Sequence, residues 1–180
     1  MSCSCLYKVF QDSPIELVGE FGNSWGFAMR IWNSLAIKYM KLECFPLHEL
    51  LKPNEESLCS KFWKLASDKN VPLRDRIVLA STYDRVIIEK ERLADLADCY
   101  DEFEKEYAYA GVTNLPAIAK VLRELQNEDG FVGVVFHVNS VTENLWETYN
   151  EEKDEYVSFM FKDFDEEKHF LLFEELENVH

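Results

Sequence analysis

The sequence predicts an α+β fold in which helices pack on an antiparallel sheet. Two short segments near the N-terminus are typical of strands, and the middle of the chain carries apolar residues at helical spacing. Residues 131–180 then return to aromatic and β-branched runs separated by polar turns. Because strands precede the helices and further strands follow them, the order favours α+β over α/β. We expect one domain over residues 1–180, with residues 1–130 mainly helical with short strands and residues 131–180 forming an antiparallel β-meander.

The first half of the chain predicts two strands and three helices. The strands flank the turn-forming residues Asp12-Ser13-Pro14. In the first helix, apolar residues such as Trp25, Met29 and Trp32 recur every three or four positions. Pro53 is suited to the start of the second helix. The predicted strands are 6–10 and 16–21, and the predicted helices are 24–41, 54–67 and 72–83.

The sequence from residue 85 onward predicts two further helices and five strands. The clearest helix, 91–107, has an apolar stripe at steps of three and four residues. Asn114 is a suitable N-cap for the next helix, 114–126, and Gly130 lies beyond its end. The apolar stripe consists of Leu93, Leu96, Tyr100, Phe103 and Tyr107. The predicted strands are 85–89, 131–138, 145–149, 156–161 and 170–173.

Composition limits the class of protein. The chain is 47% hydrophobic and contains 13 Phe, which excludes a disordered acidic tail. No run approaches the ~18 apolar residues of a membrane span, and residues 1–10 lack the features of a secretory signal. The 5 cysteines show no disulfide framework, so we expect reduced thiols and a cytoplasmic protein.

Negative charge is concentrated in the second half of the sequence. Residues 1–90 hold 12 Lys and Arg against 11 Asp and Glu, whereas residues 91–180 hold 7 against 23. A one-sided negative field attracts basic partners and repels nucleic acid and anionic membranes. We therefore expect a basic protein partner, with no direct binding of nucleic acid or membrane.

The predicted helix 91–107 carries a row of carboxylates opposite its apolar stripe. Glu91, Asp95, Asp98 and Glu102 follow at steps of four, three and four residues. At about 1.5 Å rise per residue, the row has one charge per ~4–5 Å, close to the ~3.4 Å between phosphates of one DNA strand. With Asp101 and Glu106, these four residues form the predicted partner-binding site.

Two other interpretations of this row stay open. An acidic stripe on an amphipathic helix is commonly a solvated face. Alternatively, the basic middle of the chain neutralises the row, either within the fold or across a subunit interface. The basic residues concerned are Lys52, Lys61, Lys64, Lys69, Arg74 and Arg76.

Residues 22–26 match the nucleophile motif of serine hydrolases. Gly22-Asn23-Ser24-Trp25-Gly26 has the G-x-S-x-G pattern and lies between a predicted strand and a predicted helix. However, only 23 residues precede Ser24, too few for the earlier strands and oxyanion loop of that fold. We expect Ser24 to cap the helix, and we keep a small serine hydrolase as an alternative function.

The remaining patterns predict no catalytic residue, metal site or cofactor. Cys44 and His48 lack a second ligand pair, and the acidic turn 163–167 lacks the register of a calcium loop. We therefore expect a non-enzymatic acidic binding protein, such as a DNA-mimicking inhibitor or an immunity protein of phage or plasmid type. A structural protein that forms homo-oligomers is the third alternative.

Overall fold

The strands of this chain form two separate sheets. A computed structural model describes residues 3–22, 26–49, 57–107, 113–138 and 146–177. The strands are β1 (Cys3–Val9), β2 (Glu16–Gly22), β3 (Val86–Glu89), β4 (Gly133–His137), β5 (Glu147–Asn150), β6 (Glu155–Ser158) and β7 (Phe170–Leu171). The larger sheet has the order β2-β1-β4-β3-β7, and β5 pairs with β6 alone.

Six α-helices lie within the described residues, and this combination confirms the α+β class. They are α1 (Ala28–Leu35), α2 (Leu58–Trp63), α3 (Leu73–Ala80), α4 (Leu93–Glu106), α5 (Leu115–Gln126) and α6 (Leu172–Glu177). A π-helical turn, Ala36–Met40, extends α1. Within the described part of the chain, no helix is both long and apolar enough to cross a membrane.

The central strands β3 and β4 are buried on both faces of the larger sheet. Val86, Ile88, Val134 and Phe136 pack in the main core with the helices. The alternate residues, Ile87 and Val135, pack in a second core with Trp146 and Phe159. Because both faces are covered, these strands are continuous apolar runs rather than alternating ones.

Strands occur in residues 131–180 as predicted, but their pairing differs from that of an antiparallel meander. Strand β4 inserts between β1 and β3 and pairs antiparallel with both. Strand β7 pairs with β3 in parallel, so the sheet is mixed rather than purely antiparallel. Among the described strands of residues 131–180, only β5 and β6 pair with each other as consecutive strands. The apolar run of β4 needs cover on both faces, and only a central position in the sheet supplies it.

The predicted strand 170–173 is also interrupted, because α6 begins at Leu172. The Glu89 carboxylate accepts hydrogen bonds from the backbone N–H groups of Phe173 (3.2 Å) and Glu174 (3.2 Å). These N–H groups belong to the first turn of the helix and have no partner within it. The side chain of Glu89 on β3 therefore stabilises a helix start that the local sequence does not indicate.

Helix α2 begins later than the predicted residue 54, because Ser57 caps it. Ser57 caps α2, since its Oγ accepts a hydrogen bond from the Ser60 N–H at 3.0 Å. Asn114 is the N-cap residue of α5, as predicted, but its side chain makes no capping bond and instead donates to the Gly22 carbonyl at 3.0 Å. Lys41 adopts a left-handed conformation (φ 58°) directly after the π-helical turn.

Gly133 provides a test of the contact between β3 and β4. A Cβ atom at Gly133 would lie 2.5 Å from the Ile88 carbonyl oxygen, whereas one at Gly19 would meet no atom within 4 Å. We expect Gly133→Ala to lower the free energy of unfolding by about 1–3 kcal/mol, because the backbone must move to accommodate the methyl group. Urea denaturation of this variant beside Gly19→Ala measures the effect, and equal stability of the two would contradict the packing described.

Candidate protein-binding face on helix α4

The carboxylates predicted to bind a partner lie on and beside α4, on the side away from the core. Glu91 lies in a 3₁₀ turn, Lys90–Arg92, that leads into the helix. Asp95, Asp98, Glu102 and Glu106 are exposed, and Asp101 is half-buried. The apolar stripe from Leu93 to Tyr107 is at most 2% exposed and faces the main core. We call these six carboxylates (Glu91, Asp95, Asp98, Asp101, Glu102 and Glu106) the α4 acidic face.

Arg123 of α5 binds two members of this face. Its Nη2 atom lies 2.6 Å from Asp98 Oδ1 and 2.7 Å from Asp101 Oδ2. The hydrogen bonds to Asp98 and Asp101 raise the pKa of Arg123, so the guanidinium stays charged. Because the side chains are partly exposed, such pairs contribute little stability, typically about 0–1 kcal/mol. Their main effect is to place one positive charge over two carboxylates.

Asp95 and Glu106 also form ion pairs with basic residues of this chain. Arg92 donates from Nε to Asp95 Oδ2 at 2.5 Å, one turn earlier on the same side of the helix. Lys38 and Arg74 both bind Glu106. Their hydrogen bonds lower the pKa of Glu106, and the bond from Lys38 has the larger effect. Glu91 and Glu102 are the two members with no ion pair to any described residue. The α4 acidic face is therefore exposed but partly neutralised.

Among the described residues of the basic middle of the chain, Arg74 alone forms an ion pair with the α4 acidic face. Arg74 reaches Glu106, whereas Arg76 donates to the backbone carbonyl of Ala66 at 2.8 Å. The side chains of Lys61, Lys64 and Lys69 are exposed and pair with no carboxylate among the described residues. Lys52 lies outside the described residues. Arg123, which binds two carboxylates of the α4 acidic face, comes instead from the neighbouring helix α5.

A buried carboxylate, Asp75, connects the end of α4 to α3. Tyr39 and Tyr107 donate hydrogen bonds to its Oδ2 at 2.5 and 2.9 Å. Arg74 binds the other oxygen at 2.6 and 2.8 Å, and Lys38 lies 3.3 Å away. Burial alone would raise the pKa of Asp75, but these hydrogen bonds outweigh it and hold the pKa below its usual value. Sequence reasoning missed Asp75 because its partners come from three separate segments.

Among the described residues, the strand that precedes the serine motif is antiparallel, unlike the strand before a hydrolase nucleophile. Residues 23–25, including Ser24, lie outside the described residues. Gly22 ends β2, an antiparallel edge strand, whereas an α/β-hydrolase nucleophile follows a strand of a parallel sheet. A Cβ atom at Gly26 would lie 2.8 Å from the Asn114 amide nitrogen. Close approach of Asn114 therefore explains this glycine without catalysis.

Two adjoining cavities surround His169, which sequence analysis did not select as a site residue. The larger, of about 570 Å³, lies between the β5–β6 hairpin and residues 163–169, and the smaller, of about 310 Å³, is lined by Trp63, Tyr83 and Phe170. The His169 ring stacks on Trp146, and its Nδ1 accepts from the Asp165 N–H at 3.3 Å. Burial lowers the pKa of His169, which favours the neutral imidazole.

Comparison of the chain with protein-family models, curated proteins and solved structures finds no match in any of the three.

The Asp75 network predicts a loss of stability on mutation. We expect Asp75→Asn to lower the free energy of unfolding by about 3 kcal/mol, since Arg74 and Lys38 lose a buried counter-charge. Glu102→Gln is the matched control, because it removes one exposed carboxylate from the neighbouring helix. Chemical denaturation at pH 7 measures both variants.

The same network predicts a dependence on pH. The folded-state pKa of Asp75 is lowered, so its contribution is fully present above the unfolded pKa and is lost as the pH falls through the folded one. The wild type should lose stability below about pH 4, and Asp75→Asn should lose less over the same range. Parallel pH profiles of the two proteins would contradict this assignment.

Proposed function

We propose that this chain is a non-enzymatic acidic binding protein that engages a basic partner. In its most concrete form it is a DNA-mimicking inhibitor, or an immunity protein that masks a nuclease, of the type carried by phages and plasmids. The observation that carries this proposal is the exposed position of Glu91, Asp95, Asp98 and Glu102 along α4 and the turn that leads into it. Carboxylates in such a row can occupy a groove that otherwise binds phosphates.

The remaining charge of the α4 acidic face supports the proposal in spite of the intramolecular ion pairs. Carboxylates at and around α4 outnumber the cations that touch them or lie on the helix. The carboxylates are Asp75, Glu91, Asp95, Asp98, Asp101, Glu102, Glu104 and Glu106, and the cations are Lys38, Arg74, Arg92, Lys105 and Arg123. A partner with closely spaced basic residues would therefore meet a negative surface.

Affinity capture tests the proposed function. The immobilised chain is incubated with a cell lysate, and captured proteins are eluted with rising salt and identified by mass spectrometry. We expect a basic nucleic-acid-binding protein that is released between low and physiological salt and is displaced by duplex DNA. Capture of a neutral or acidic protein, or binding that ignores salt, would refute the proposal.

Arg123 provides a sharper test on the captured partner. Arg123→Gln uncovers Asp98 and Asp101, so we expect roughly two- to fivefold faster association and a steeper salt dependence, in line with the ~0.2–1 kcal/mol of an exposed ion pair. Lys120→Gln on the same helix is the control. It changes the net charge equally but removes a cation whose ion pair, among the described residues, is with Glu124 at 3.8 Å. Stopped-flow association at two salt concentrations compares the variants, and equal rates would exclude the α4 acidic face from the interface.

A further inference from the structure

The β5–β6 hairpin presents aromatic rings to solvent. Tyr149 and Tyr156 are directly opposed across the two strands, with ring centroids 5.2 Å apart in an edge-to-face arrangement. Their exposed fractions are 50% and 73%. Val157, on the opposite face of the hairpin, is 38% exposed. We call the surface formed by the two rings the tyrosine face.

The hairpin that carries this face contains more carboxylates than cations. Glu151, Glu152 and Asp154 lie in its turn, whereas Glu155 projects to the face opposite the rings, because it pairs with Asn150. The hairpin, residues 147–158, contains five carboxylates and one lysine: Glu147, Glu151, Glu152, Asp154 and Glu155 beside Lys153. The only ion pair within it joins Lys153 to Glu155 at 3.9 Å, among the described residues. The imbalance is larger than on α4, where Arg123 alone binds two carboxylates. A positively charged ligand is therefore the complement of this surface.

The hairpin is held in a defined conformation. At its base, the buried residues Trp146 and Phe159 join the second core, and the Phe159 N–H donates to the Trp146 carbonyl at 2.8 Å. At its tip, Asn150 Oδ1 accepts hydrogen bonds from the backbone N–H groups of Glu152 (3.0 Å) and Lys153 (3.2 Å). The Tyr149 hydroxyl also donates to Asp154. Because the rings are already ordered, binding would not incur the cost of arranging them.

We propose that the tyrosine face binds an arginine-rich segment of the basic partner, with guanidinium groups over the two rings and the carboxylates of the hairpin turn beside them. Arginine suits this surface better than lysine because its planar guanidinium stacks on aromatic rings and also binds carboxylates through two N–H groups. Within this chain, the Arg92 guanidinium already lies 4.1 Å from the centre of the Phe173 ring. This inference rests on the proposed function and adds a second binding surface to it.

The test uses a nine-residue arginine peptide and a nine-residue lysine peptide as probes of the full chain. We expect tighter binding of the arginine peptide. Tyr156→Leu should reduce that preference by about two- to fivefold, the range expected for a cation–π contact at an exposed site, whereas Tyr156→Phe should retain it. Fluorescence anisotropy measures the affinities. Equal loss in the leucine and phenylalanine variants, or no arginine preference in the wild type, would overturn the proposal.

A matched set of charge variants separates a local site from general attraction. Glu151→Gln, Glu152→Gln and Asp154→Asn are combined in one protein, and Asp12→Asn, Glu20→Gln and Glu43→Gln in another. Both sets remove three exposed carboxylates, so the net charge is the same. We expect the first set to weaken arginine-peptide binding at least threefold more than the second. Equal weakening would mean general electrostatic attraction and would overturn the site.

Backbone amide shifts in a nitrogen-15 NMR spectrum locate the peptide without any mutation. Shifts confined to residues 147–158 support the site. Shifts confined to α4 would overturn the inference while leaving the proposed function intact, and a chain that binds neither peptide would count against both. Light scattering identifies the remaining occupant: a dimer that Tyr156→Leu dissociates would mean that a second copy covers the tyrosine face, which also overturns the proposal.

Discussion

The burial of β3 and β4 on both faces is the constraint on which the rest of the structure depends. Their alternate side chains need apolar cover on two sides. The helices supply one side, which fixes the apolar stripe of α4 inward and turns its carboxylates toward solvent. Trp146 and Phe159 supply the other side, which anchors the base of the β5–β6 hairpin. The α4 acidic face and the tyrosine face are thus both consequences of how one sheet is covered.

The charge of this chain is distributed unevenly between these two surfaces. On α4, carboxylates face the neighbouring helix α5 and the Asp75 network, and cations from both reach them. In the hairpin, Lys153 is the single basic residue beside five carboxylates. Proximity to other elements, rather than the density of acidic residues in the sequence, decides how much negative field each surface retains. An acidic run alone is therefore a poor measure of electrostatic attraction.

Regular periodicity explains which parts of the structure were predictable from the sequence. The spacing of Leu93, Leu96, Tyr100 and Phe103 predicts both the existence of α4 and its buried side, because helical geometry fixes the relation between position and direction. The apolar run Val86-Ile87-Ile88 likewise predicts a buried strand. The exposed carboxylates of α4 follow directly from the same periodicity.

Contacts between distant segments explain the rest. The sequence around Asp75 gives no sign that Tyr39 and Tyr107 donate to it, and nothing near Arg123 indicates that it lies over Asp98. The parallel pairing of β7 with β3 and the capping of α6 by Glu89 also join segments that are far apart in sequence. Local patterns specify elements, whereas these partners are specified only by the assembled core.

The sheet order has a consequence for how the chain reaches its native state. Strand β1 pairs with a strand near residue 135, and β3 receives its last neighbour only at Phe170. During synthesis, β1 can pair with β4 only after residues 133–137 have been made. Strand β3 can pair with β7 only after Phe170 and Leu171 have been made. Such long-range closure slows folding and prolongs the exposure of aggregation-prone strands. Termination of translation before Gly133 would thus leave both edges of Val86, Ile87 and Ile88 without the strands that pair with them.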